Sequence, residues 1–157
     1  MRIFFHLYNF IEFFLGFFIG SRLIGIKLKT RILILMTLVT QFVFTITYDF
    51  FASNPEVLGY RPLLTFLIAI LAYMFIGKQK VLHSLLGVAI HLFIFIADDI
   101  LMVPITNCIL HVQSGPPMDN PIKYFLYGLF LRIPLIILSL LIHFKKLKII
   151  DIQTMRK

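Results

Sequence analysis

The sequence predicts an all-α bundle of about five membrane-spanning helices, and three observations carry that reading. The 157-residue chain is 60% apolar and only 14% charged, with a mean hydropathy of +0.97. A chain this short leaves a large share of its surface facing solvent, so that solvent must be lipid. The apolar residues gather in blocks of roughly 17–25, the length that crosses a hydrocarbon core as a helix. The period-two alternation of an outer-membrane barrel is absent.

The first block, about 3–21, has an apolar stretch too long for a signal peptide and no small-residue cleavage site, so it reads as a retained helix. It carries its own acid, Glu12, and a Gly16/Gly20 pair whose small-xxx-small spacing can bring helices together, a hint of oligomerisation. The second block covers about 31–51 and the third about 60–77. Between them "SNPEVLGYRP" is a turn-rich loop. The fourth, about 81–103, holds His83, Gly87, His91, Phe95 and Asp98 on one helical face. The fifth, about 122–144, contains "LRIPL", where Pro134 removes the donor for the Phe130 carbonyl and predicts a kink, a candidate hinge. A four-helix alternative, with one block re-entrant or interfacial, stays open. The loop at 107–121 is too rich in proline to be helical throughout. The whole chain, 1–157, reads as one transmembrane domain without a soluble appendage.

Charge orients the bundle. Arg22, Lys27, Lys29 and Arg31 follow the first block, Lys78 and Lys80 the third, and Lys145, Lys146, Lys148, Arg156 and Lys157 the fifth. The opposite connections hold only Arg2, Arg61 and Lys123, together with most of the acids. The positive-inside rule then puts the N-terminus outside and the C-terminus in the cytoplasm, as expected for a multi-pass protein of a bacterial inner membrane. The basic groups are expected to meet lipid headgroups and a cytoplasmic effector protein, not nucleic acid.

Charges at membrane depth are costly and turn inward. Glu12, His91 and Arg132 lie near the centres of their blocks, so a Glu12–Arg132 pair with His91 beside it is expected. Asp98 and Asp99 read as the outer end of the fourth span. With Asp49 they would line an outer vestibule and pair with Arg61 or Lys123. Neighbouring residues on a helix point about 100° apart, so Asp98 and Asp99 are not a catalytic pair. His83 and His91 sit two turns, ~12 Å, apart and cannot share a metal ion. One cysteine, Cys108, excludes a disulfide within the chain and a cysteine metal cluster. Nucleophile elbows and phosphate-binding glycine loops are missing too, so neither catalytic residues nor a cofactor or metal are expected.

The alternation of apolar helices with short basic connectors, ending in "LRIPLIILSLLIHFKKLK", resembles the membrane half of peptide-sensing histidine kinases of the accessory-gene-regulator type. It is similar in architecture to the small membrane subunits of bacterial antiphage defence systems as well. Both resemblances imply a membrane sensor or anchor. In the kinase family the last helix continues into a cytoplasmic kinase, whereas this sequence ends at Lys157, so its signal is expected to reach a separate protein. The function expected is therefore a non-enzymatic, homo-oligomeric inner-membrane subunit that senses an external or membrane signal and regulates a cytoplasmic partner. The alternatives are a transport component or oligomeric pore, and an intramembrane aspartyl protease using Asp49 and Asp98.

Overall fold

The computed structural model describes residues 2–54, 60–110 and 120–150. Its elements are α1 (Arg2–Leu23), α2 (Thr30–Ser53), α3 (Arg61–Leu71, running on through a π-helical turn, Ala72–Ile76), α4 (Val81–Leu110), α5 (Pro121–Leu131) and α6 (Ile133–Lys145). Among the described residues there is no strand. α1, α2 and α4 are each long and apolar enough to cross a membrane, and α5 with α6, bent by 47° at their break, makes a fourth if the pair counts as one span. The third block of the sequence is shorter than a full span: only Pro62–Ile76 forms its apolar helix.

Large apolar side chains cover the outside, and polar groups sit among the apolar core. Phe75, Phe93, Ile100 and Phe144 face outward, whereas Ser21, Thr37, Thr40, Ser84, Asp98 and Arg132 are buried. In lipid the apolar side chains lose nothing outside, and inside Ser21, Thr37 and Ser84 donate to backbone carbonyls while Asp98 pairs with Arg132.

α1 is the central helix, packed on α2, α4, α5 and α6. It ends because Gly25 takes a left-handed φ of 80°. That lets Ile26 N–H reach back to the Ser21 carbonyl (2.9 Å) and Gly25 N–H to that of Arg22 (3.0 Å), satisfying carbonyls that have no next turn to bond. Gly16 and Gly20 face α4 within the same chain. A methyl at Gly20 would strike the Gly87 carbonyl, and one at Gly16 the His91 ring. Their spacing is thus used for the α1–α4 crossing within one chain. Gly87 is the other half of that contact. Tyr73, fully buried in the π-helical turn, donates to the Phe17 carbonyl (2.9 Å) and ties the third helix to α1.

α4 is longer than the block that the sequence outlines. It runs for 30 residues to Leu110 and carries Pro104 inside it. At 1.5 Å per residue it is about 45 Å long, more than the ~30 Å of a hydrocarbon core. Asp98 and Asp99 lie about 26 Å along it, so the helix itself runs on past the outer end expected for the span. The apolar run that resumes at Ile100 is what keeps the helix going.

Candidate functional site

The site forms where α5 stops and α6 begins. Pro134 supplies no N–H to Phe130, and proline is tolerated in the first turn of a helix, so α6 restarts around it. Arg132 takes the joint, closing α5 and opening α6 at φ −95°, ψ 5°. The break frees its side chain to turn across the bundle toward the middles of α1 and α4.

Three carboxylates meet it there. Glu12 of α1 accepts from Nη2 at 2.7 Å, and Asp98 and Asp99 of α4 accept from Nη1 at 3.1 and 2.5 Å. The Arg132 and Asp98 side chains are 4% exposed, Glu12 25% and Asp99 46%. The guanidinium also lies 4.8 Å from the centre of the Phe95 ring, which buries its face. A planar fork with five donors suits this task, because one ammonium cannot present two directed nitrogens to acids on different helices. Arg132 Nε has no partner among the described residues.

Beside the cluster, between α1, α4 and α5, is a cavity of about 280 Å³ lined by Tyr8, Asp99, Val103, Tyr124, Tyr127, Gly128, Leu131 and Arg132. Gly128 leaves room for the Tyr8 ring against it. Tyr127 donates to Asn107 Oδ1 (2.9 Å) and pins α5 to the far half of α4. Asn120 caps α5 by accepting from the N–H groups of Ile122 and Lys123.

The structure brings Glu12 and Arg132 together and adds the two aspartates. Asp98 and Asp99 both accept from Arg132, a partner that the vestibule reading did not give them. The reason is geometric: a guanidinium at the helix break reaches the buried face of α4. The side chains of Asp49 and Arg61, the loop residues 111–119 and the tail from 151 lie outside the described residues. His91 is buried as well, but among the described residues it joins no ion pair. Its ring packs on Phe95 (4.6 Å) and Phe17 (6.4 Å), and Nδ1 has no partner among the described residues. His83 is only half-buried. The basic residues Arg22, Lys27, Lys29, Arg31, Lys78, Lys80, Lys145, Lys146 and Lys148 all lie at the opposite end from Asn107 and Asn120. The chain returns there, with Ile149 and Ile150 donating to the Leu23 carbonyl (2.8 and 3.0 Å).

Sequence reasoning missed Tyr8 and Tyr127, although a signal existed. Tyr8 precedes Glu12 by four residues and shares its helix face. Tyr124, Tyr127 and Leu131 recur at i, i+3 and i+7 along α5. Among the described residues no group of three histidine, cysteine or acidic side chains could hold a metal ion. Comparison with protein-family models, with curated proteins and with solved structures finds no match to the chain.

Proposed function

We propose that this is a non-enzymatic, multi-pass component of a bacterial inner membrane, with its N-terminus outside and its C-terminus in the cytoplasm. The short helix at Pro62–Ile76 completes five crossings. The protein converts an event at its outer half into a rearrangement of the broken α5–α6 span. A cytoplasmic partner reads that movement at the basic inner face, through exposed groups such as Lys29, Arg31, Lys78, Lys80 and Lys145. One observation carries this reading: a single guanidinium, seated at the break, joins the broken span to α1 and α4 at once. A switch needs an element with two arrangements and a contact that biases them. The proline-broken span is such an element, and the ion cluster is such a contact.

The test uses spin labels on α4 and α6, at the lipid-facing positions Leu92 and Leu140, in a Cys108→Ser background reconstituted into liposomes. Wild-type protein gives one narrow distance distribution. Arg132→Gln gives a broadened or two-component one. An unchanged distribution in Arg132→Gln would mean that the cluster does not hold the span, and the latch reading would fail.

The cavity favours a second reading, transport. Discontinuous helices with charge at the break are a recurrent way to build a solute site at mid-membrane, and Asp99 and Arg132 both line the cavity. Cysteines placed at Val103 and Leu131 separate the two. Reaction with aqueous thiol reagents from the outside alone fits an outer sensing pocket. Reaction from both sides of the vesicle fits alternating access and would favour transport over sensing.

A further inference from the structure

A second cavity, also of about 280 Å³, lies at the basic end of the molecule. It is lined by Arg22, Gly25, Ile26, Lys27, Ile142, His143, Lys146, Leu147 and Lys148. We propose that this cavity is a binding site for a phosphate group, carried by an anionic lipid headgroup or by a small soluble phosphate. The site stands apart from the Arg132 cluster and does not depend on the function proposed above.

The lining is cationic beyond what the helix ends require. α1 and α6 both finish here, and each helix end contributes about half a negative charge. Against these the cavity sets the positive charges of Arg22, Lys27 and Lys146, and no carboxylate among the described residues that line it. The local surplus is therefore about two positive charges at neutral pH. Such a surplus draws an anion, and at a membrane surface the abundant anion is phosphate.

The cavity is also built, in that its walls are fixed by the backbone. Gly25 (φ 80°) turns the chain after α1, and Lys146 (φ 52°) turns it after α6. Lys146 is the left-handed cap that ends α6. The two donations from Ile149 and Ile150 to the Leu23 carbonyl fold the tail back against the end of α1. Arg22 is held over the Phe18 ring, with its carbon centre 5.5 Å from the ring centroid. Its Nε is buried with no hydrogen-bond partner among the described residues. A buried guanidinium N–H without an acceptor is a site waiting for an oxygen, and phosphate oxygens pair with arginine in a bidentate manner. Ile26, Ile142 and Leu147 complete the lining with apolar surface, which suits the glycerol and upper acyl region of a lipid as well as a bare phosphate.

The test reconstitutes the full chain in phosphatidylcholine nanodiscs and follows binding in two arms. One arm titrates inorganic phosphate by ³¹P NMR line width. The other mixes phosphatidylglycerol into the discs and counts retained anionic lipid by native mass spectrometry. Retention of phosphatidylglycerol without a phosphate response identifies a headgroup site, and broadening of inorganic phosphate identifies a soluble ligand. Arg22→Gln and Lys146→Gly, the latter preserving the left-handed turn, should each weaken binding roughly fivefold, and ~thirtyfold together. Lys80→Gln, on the same face but outside the cavity, should leave binding within twofold of wild type. Two results would overturn the proposal: no selective binding in either arm, or an equal loss in Lys80→Gln, which would mean diffuse surface charge. A melting curve for each variant separates loss of the site from loss of the fold.

Discussion

At the residue scale, Arg132 is the position where composition and geometry meet. Its three partners come from two helices, so its removal leaves carboxylates buried without a counter-charge. Breaking a buried ion pair at one partner costs about 3–5 kcal/mol, and Arg132→Met should lower unfolding stability in bicelles by that order. Arg132→Lys should recover less than half of the loss, since a single ammonium cannot serve Glu12 and both aspartates from two nitrogens. Equal stability of the lysine variant and wild type would show that charge alone, not the fork, holds the cluster. His91 makes the opposite case. It is buried among Phe17, Phe95 and Gly16 and has no hydrogen-bond partner among the described residues. His91→Phe keeps a planar ring and should alter stability by less than about 1.5 kcal/mol. A larger loss in the same unfolding assay would assign His91 a polar role.

At the element scale, two backbone devices set where the site can form. The first is the Gly20–Gly87 crossing, which brings α1 close enough to α4 for Glu12, Asp98 and Asp99 to reach one guanidinium. Gly20→Ala places a methyl against the Gly87 carbonyl, where backbone cannot step aside, and should cost about 1–3 kcal/mol. A neutral result in a thermal melt would show that the helices can separate freely there. The second device is the proline break. It was legible as "LRIPL", because a missing N–H acts locally and needs no knowledge of neighbours. The Glu12–Arg132 pairing was legible for a similar reason: two lone charges near the middle of apolar blocks have few alternatives. The role of Asp98 and Asp99 was not. Two adjacent acids read as the end of a hydrophobic span, and nothing near them in the sequence says that α4 continues to Leu110 or that a cation waits beside it. The Gly16/Gly20 spacing was equally ambiguous, since the pattern fits a helix of the same chain as well as one of another copy.

At the scale of the whole molecule, an apolar exterior surrounds a polar seam, with basic groups gathered at one end. Fold class could be read from composition because it depends on the sum over all residues. The length of the third helix could not, since its last turn winds into the π form around Tyr73 and only Pro62–Ile76 is apolar and helical. The central claim is that one arginine joins three spans within the bilayer. The chain contains only two glutamates, Glu12 and Glu56, which makes that claim directly measurable. Full-length protein in liposomes, with ¹³C in glutamate carboxyl groups and ¹⁵N in arginine guanidinium groups, would be examined by magic-angle-spinning NMR. The Glu12 carboxyl signal, identified by its absence in Glu12→Gln, should show dephasing from a guanidinium nitrogen within roughly 4 Å, and Arg132→Lys should abolish it. A Glu12 signal that feels no arginine nitrogen in the wild-type protein would contradict the cluster, and with it the proposed latch.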